Sequence, residues 1–218
     1  MYPKYILTSV LSLALFSNVA FAQKVSQPDL GAKKASIITV GKLKFKDLNK
    51  NNKLDAYEDW RLPVESRIKN LVAQMTLEEK VGFMLISTTR LSGDYSFQQN
   101  APKAEIGNGF NEEDLVQTIN MFTRKPLAIP NMASAGTSKG VNQFHLRHFI
   151  LRANASARIT AEWANRLQAL CESDGLGIPA IVASNPRNHI TKDASVGLSV
   201  GKTVFSTWPG ELGLSATR

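Results

Sequence analysis

One cysteine, Cys171, is all the thiol this 218-residue chain contains, so no internal disulfide can form. Its place in an amphipathic stretch marks it as a buried apolar filler. A glycine-rich phosphate loop and a G-x-S-x-G elbow are both missing. That takes phosphate cradles and α/β-hydrolase chemistry out of consideration. No apolar run beyond residue 22 is long enough to cross a bilayer, and no internal repeat recurs. The net charge of +8 is not gathered into a block of one sign. The densest basic stretch, Arg147 to Arg158, is interleaved with Phe149, Ile150 and Leu151, which reads as a strand with solvated ends. Without a nucleic-acid motif or interleaved exposed aromatics beside it, nucleic acid is excluded as a partner.

With 43% hydrophobic and 20% charged residues, the composition is that of a globular protein, not of a disordered, collagenous or coiled-coil chain. Residues 1–22 stand apart. Lys4 precedes an apolar run from Ile6 to Phe16, and Ala20-Phe21-Ala22 closes the segment before Gln23. Charged start, short apolar run and small residues at both A-x-A positions are the signature of a secretory signal peptide cleaved after Ala22. Lys4 is its one charge, so the mature chain keeps 25 basic and 18 acidic residues, a net +7. The expectation is a periplasmic or secreted protein, with no membrane association after cleavage.

Residues 23–36 are polar, with Pro28 and Gly31, and read as a loose leader. Residues 37–63 hold the sharpest local pattern, Asp47-Leu-Asn49-Lys-Asn51-Asn52-Lys53-Leu54-Asp55-Ala-Tyr-Glu58. Asp47, Asn49, Asn51, Asp55 and Glu58 fall at positions one, three, five, nine and twelve of an EF-hand-like loop, and Lys53 offers its carbonyl at seven. Alternating short oxygen ligands wrap a hard cation, and the glutamate closes the shell, so the pattern points to one structural Ca2+. Position six is Asn52 instead of glycine, but Asn tolerates the left-handed conformation required there. The alternative is an Asn-rich turn held by side-chain to backbone hydrogen bonds.

From residue 64 onward, a helix over Val64 to Met75 follows Pro63, with Ile68, Leu71, Val72 and Met75 on one face. Thr76 and Glu79 form a capping box for a second helix carrying Leu77, Val81, Met84 and Leu85. Thr88 to Gly109 reads as a long loop. Asn111 caps an expected helix with Glu112, Glu113 and Asp114 in its first turn and Leu115, Ile119 and Phe122 on its buried face. Lys125 to Gly140 returns to loop composition. Phe144 to Leu151 is a strand, Thr160 to Glu172 a helix with Trp163, Leu167, Leu170 and Cys171 on one face, and Ile178 to Ala183 a second strand. Strand, helix, strand is a βαβ unit with a parallel sheet, too small to cover both its own faces. His145 and His148 are three apart in a strand-like segment and face opposite sides, which argues against joint metal ligation. Asn154-Ala-Ser156 matches a glycosylation sequon.

Four blocks in order resemble the N-terminal part of glycoside hydrolase family 3. They are the loop ending in Asp59-Trp60-Arg61-Leu62-Pro63; Met75-Thr-Leu-Glu-Glu-Lys-Val-Gly82-Phe-Met84; Asn165-Arg-Leu-Gln168 leading to Leu176-Gly-Ile-Pro179; and Trp208-Pro209-Gly-Glu-Leu-Gly-Leu-Ser-Ala-Thr-Arg218. The resemblance implies an α/β fold: the incomplete front of a TIM-like (β/α)8 barrel over residues 64–218, behind a helical leader with the EF-hand-like loop. Phe144 to Leu151 would be the first barrel strand and Ala180 to Ala183 the second. It also implies an exo-acting β-glucosidase or β-xylosidase, retaining in mechanism, acting on a small oligosaccharide or an aryl or alkyl glycoside. Barrel sites lie at the C-terminal strand ends, which makes Asn185, Arg187 and His189 the candidate substrate contacts. Asn185 stands where the family pattern has an aspartate, and an amide keeps both donor and acceptor without the charge. The two catalytic carboxylates of the family would fall beyond Arg218, so no catalytic residue and no catalytic cofactor are expected here. The competing expectation is a non-catalytic, exported, calcium-stabilised carbohydrate-binding or structural protein.

Overall fold

The structure is a computed structural model, and it describes residues 26–94, 104–120, 122–151 and 155–183. The expected signal peptide, Asn154, the Trp208 block and the candidate contacts Asn185, Arg187 and His189 lie outside the described residues.

The chain opens with an antiparallel hairpin of β1 (Ser36–Val40) and β2 (Leu43–Asp47), in which Ser36 faces Asp47 and Val40 faces Leu43. A hairpin, not a helical segment, therefore leads into the Asp47 loop. The helices come after it: α1 (Val64–Gln74) and α2 (Leu77–Met84). The capping box expected for α2 is present in full. Thr76 Oγ1 accepts from the Glu79 N–H at 3.1 Å, and Glu79 Oε2 accepts from the Thr76 N–H at 2.8 Å.

Strand β3 (Ile86–Thr89) follows α2 directly and was not legible as a strand in the sequence. It forms the edge of a three-stranded parallel sheet ordered β3, β6 (His148–Leu151), β7 (Ile181–Ala183). Ile86 pairs with His148 and His148 with Ile181. The strand expected first is thus the central one, and it begins at His148 because His145, with φ of 54°, turns the chain just before it. The expected helix after Asn111 is instead β4 (Leu115–Ile119), paired antiparallel with β5 (Pro126–Ser134) in the stretch expected to be loop. A short helix, α3 (Thr137–Asn142), leads back toward β6. The described residues form three separate sheets, and none of these is closed into a barrel.

Helix α4 (Ala157–Ser173) starts at Ser156, whose hydroxyl accepts from the Ile159 N–H. Of its expected face, Trp163, Leu167 and Cys171 are fully buried and join Leu91, Val141, Leu146, Phe149, Leu151 and Ala180 in one core, against which Leu170 packs partly buried. Burial pushes the Cys171 thiol up to about 11, so it is a filler and not a nucleophile. Much of the apolar faces of α1 and α2 lies open, although Met75 is buried and Leu71 half-buried. Leu77 is 71%, Ile86 70% and Met84 81% exposed, which leaves apolar surface beside the edge of β3 that pairs with no other described strand.

Candidate functional site

Two regions carry the candidate chemistry: the lead-in to β7, which runs on toward Asn185, and the Asp47 loop. The lead-in is fixed by two side chains, Arg147 and Gln168, to which the sequence assigned no such role. Arg147, 4% exposed, donates Nε to the Ile178 carbonyl at 2.9 Å and Nη1 to the carbonyls of Val141 at 3.2 Å and Leu146 at 2.9 Å. Its Nη2 meets Asp174 Oδ2 at 2.6 Å. A guanidinium with all this satisfied is the form in which a buried cation is tolerated. Gln168 of α4 then grips Ala180 at both main-chain groups, Oε1 accepting at 3.0 Å and Nε2 donating at 2.8 Å. Ile181 donates to the Arg147 carbonyl at 2.7 Å, and β7 is launched along β6. Arg147 was read as part of a solvated basic stretch, and it is instead a buried clamp.

In the Asp47 loop, Lys50 and Asn52 have φ of 60° and 59°, so Asn52 does adopt the left-handed turn its position requires. Asp47 is fully buried; Oδ1 accepts from the Asn51 N–H at 3.0 Å and Oδ2 from the Asn52 N–H at 3.1 Å. Glu58, 4% exposed, takes the N–H groups of Leu48 at 2.6 Å and Asp55 at 3.0 Å on its two oxygens. Asn49 and Asn51 both point Nδ2 at Asp55 Oδ2, at 2.8 and 2.7 Å. Lys53 donates its N–H to Asn51 Oδ1 at 2.7 Å. The six positions are thus gathered in one loop by side-chain to backbone bonds. The side chains offer hard oxygens, and the Asp47 and Glu58 carboxylates face backbone N–H groups. Among the described residues no three Asp, Glu, His or Cys side chains converge as a metal cluster.

The other acids have structural partners. Glu112 accepts from the Ser138 N–H and hydroxyl, and Asp114 from the Gly136 N–H and Lys139. Both therefore sit at the start of α3 instead of in the first turn of a helix of their own. Asp59 is held well below the usual carboxylate range by its hydrogen bonds to Arg61. His148 Nδ1 lies 2.8 Å from the Phe83 carbonyl, while His145 Nδ1 is 4.0 Å from Asp174. The two histidines serve different contacts, in line with the reading against joint ligation.

No family model matches the chain. Over 207 residues, 93% of its length, it is 36% identical to a periplasmic β-glucosidase/β-xylosidase of Dickeya chrysanthemi. Over 170 residues, 78% of its length, it is 31% identical to a probable β-glucosidase C of Aspergillus oryzae. A β-glucosidase C of Emericella nidulans is 26% identical over 173 residues. The matches take in 26%, 22% and 22% of those proteins, so the chain spans about a quarter of the length of the curated relatives it matches. With the four sequence blocks and this relationship along nearly its whole length, the chain is a β-glucosidase-like sequence of the glycoside hydrolase family 3 kind.

Proposed function

We propose that this chain forms the leader and first strands of an exported, exo-acting, retaining β-glycosidase of the β-glucosidase or β-xylosidase type. The observation that carries the reading is the parallel sheet β3-β6-β7, whose last strand ends at Ala183 and runs straight into Ser184-Asn185-Pro186-Arg187-Asn188-His189. Sites on such sheets lie at the C-terminal strand ends. Asn185, Arg187 and His189 contact hydroxyls of a small oligosaccharide or an aryl or alkyl glycoside there, and the two carboxylates that do the bond chemistry come from beyond Arg218. The A-x-A site ending at Ala22 and the periplasmic relative support export; no helix of the described residues is long and apolar enough to cross a membrane.

In the same reading, one Ca2+ is held by the side chains of Asp47, Asn49, Asn51, Asp55 and Glu58 and the Lys53 carbonyl. The ion supplies a fixed loop shape and takes no part in the chemistry.

The test is Asn185→Ala in the complete reading frame. Losing one hydrogen-bonded pair to a buried hydroxyl costs about 1–3 kcal/mol, so kcat/KM falls about ten- to a hundredfold with Tm nearly unchanged, and Asn185→Asp retains activity. A variant that loses Tm and keeps its kinetic constants shows Asn185 to be a loop cap only.

A further inference from the structure

Four side chains of the hairpin and the Asp47 loop reach across more than a hundred residues of sequence to a single place, the turn between α4 and β7. Lys46 Nζ meets Glu172 Oε1 at 2.8 Å. Lys50 Nζ donates to the Ser173 carbonyl, and the Tyr57 hydroxyl donates to the Leu176 carbonyl at 3.3 Å. Leu48 packs on Gly177 so closely that a Cβ at 177 would lie 3.0 Å from its Cβ and Cδ2. On its other oxygen Glu172 accepts the consecutive N–H groups of Lys33, Lys34 and Ala35. The carboxylate is buried, and it pins the leader to the last turn of α4.

The turn needs such a support. Gly175 and Gly177 have φ of 49° and 65°, two left-handed positions on either side of Leu176, with wide conformational freedom. Strand β7 has three residues and pairs with β6 alone among the described strands, too little ladder to define its own placement. Arg147 holds residues 174 and 178, Gln168 holds residue 180, and the Gly177 N–H donates to the Asp174 carbonyl at 2.9 Å, but no side-chain bond of Arg147 or Gln168 reaches Gly175 to Gly177 themselves.

We propose that the leader and the Asp47 loop act as a brace that positions β7, with Glu172 as its pin: the shape of the loop sets the turn, and the turn sets the strand. What β7 carries to the substrate rests on the function proposed above; the brace itself is read without any sugar. Glu172 and Leu48 are positioning residues in this account.

Hydrogen exchange measured by mass spectrometry on the 218-residue chain tests it. Glu172→Ala should speed exchange at least tenfold over residues 33–47 and at least threefold over 178–183, with Trp163 to Cys171 unchanged within twofold. Glu172→Gln keeps an acceptor oxygen and should fall between wild type and alanine at both segments. Leu48→Ala leaves the pin intact and should speed residues 176–183 at least threefold; it also serves if Glu172→Ala does not fold. The proposal is overturned if residues 178–183 stay within threefold of wild type once the leader is released, which would show that Arg147 and Gln168 suffice. An unreleased leader in Glu172→Ala, or a rise shared equally by Trp163 to Cys171, overturns it as well.

Discussion

Gly82 of α2 lies against the main chain of Phe144, so closely that a Cβ at position 82 would stand 2.1 Å from the Phe144 carbonyl oxygen and 2.9 Å from the carbonyl carbon of His145. The close approach brings α2 up to the residues that turn the chain into β6. It also gives a physical meaning to the glycine in the Glu78-Glu79-Lys80-Val81-Gly82 block.

In an exposed helix, alanine at this position would stabilise by roughly 0.5–1 kcal/mol over glycine. Here the sign reverses, because backbone atoms cannot move aside as a flexible side chain would. Gly82→Ala should destabilise the chain by about 1–3 kcal/mol, read as a lower urea midpoint with an unchanged slope. An equal or higher midpoint would mean that α2 is not seated on Phe144.

Glu172 gives the pH dependence. Burial pushes its carboxyl upward, but the Lys46 ammonium and the N–H groups of Lys34, Ala35 and Lys33 outweigh this and lower it from 4.5 to about 2. A lowered folded-state value means stability that is fully present above pH 4.5 and is lost as the pH falls toward 2. The stability difference between wild type and Glu172→Gln should therefore shrink over that window and be constant from pH 6 to 8. A constant difference down to pH 2 would contradict the clamp on the leader.

The buried face of helix α4 was readable from local signals, Trp163, Leu167 and Cys171 at helical spacing and all three fully buried, whereas the helix begins at Ala157, three residues before the expected Thr160, on the Ser156 cap. The capping box of α2 and the left-handed Asn52 were legible for the same reason, since each depends on residues within a few positions. The β4-β5 pair was not. Leu115, Ile119 and Phe122 happen to fall at helical spacing, and the partner strand holds Pro126 and Pro130, which mark loop or edge. What decides for a strand is pairing with residues 7 to 19 positions away. Arg147 could not be recognised as buried, because its partners are carbonyls and an acid 27 residues downstream. Of the candidate site, the Asp47 turn rests on side-chain to backbone hydrogen bonds between near neighbours, while Gln168 stood in a quoted block with no structural role attached and Glu172 in none, because their partners are main-chain groups 12 and more than 130 residues away.

The Asp47 loop makes a prediction about metal. A ligand that binds only the folded state raises its stability by mass action, so 5 mM Ca2+ on the order of a hundred times Kd would add about 2.7 kcal/mol. Tm should rise on adding Ca2+ and fall back with chelator, and Asp47→Ala with Glu58→Ala should abolish the shift. Identical melting in Ca2+ and chelator would leave the loop as an Asn-rich turn held by its own hydrogen bonds.

The central claim is that this chain belongs to a β-glycosidase whose reacting carboxylates lie beyond Arg218. The most direct measurement is release of p-nitrophenol from its β-glucoside and β-xyloside, by residues 23–218 alone and by the complete reading frame at equal concentration. The account predicts no release by residues 23–218 and steady turnover by the longer protein, with the β-anomer formed first by NMR. Turnover by residues 23–218 alone, or a folded longer protein that is inert on both substrates, would contradict it.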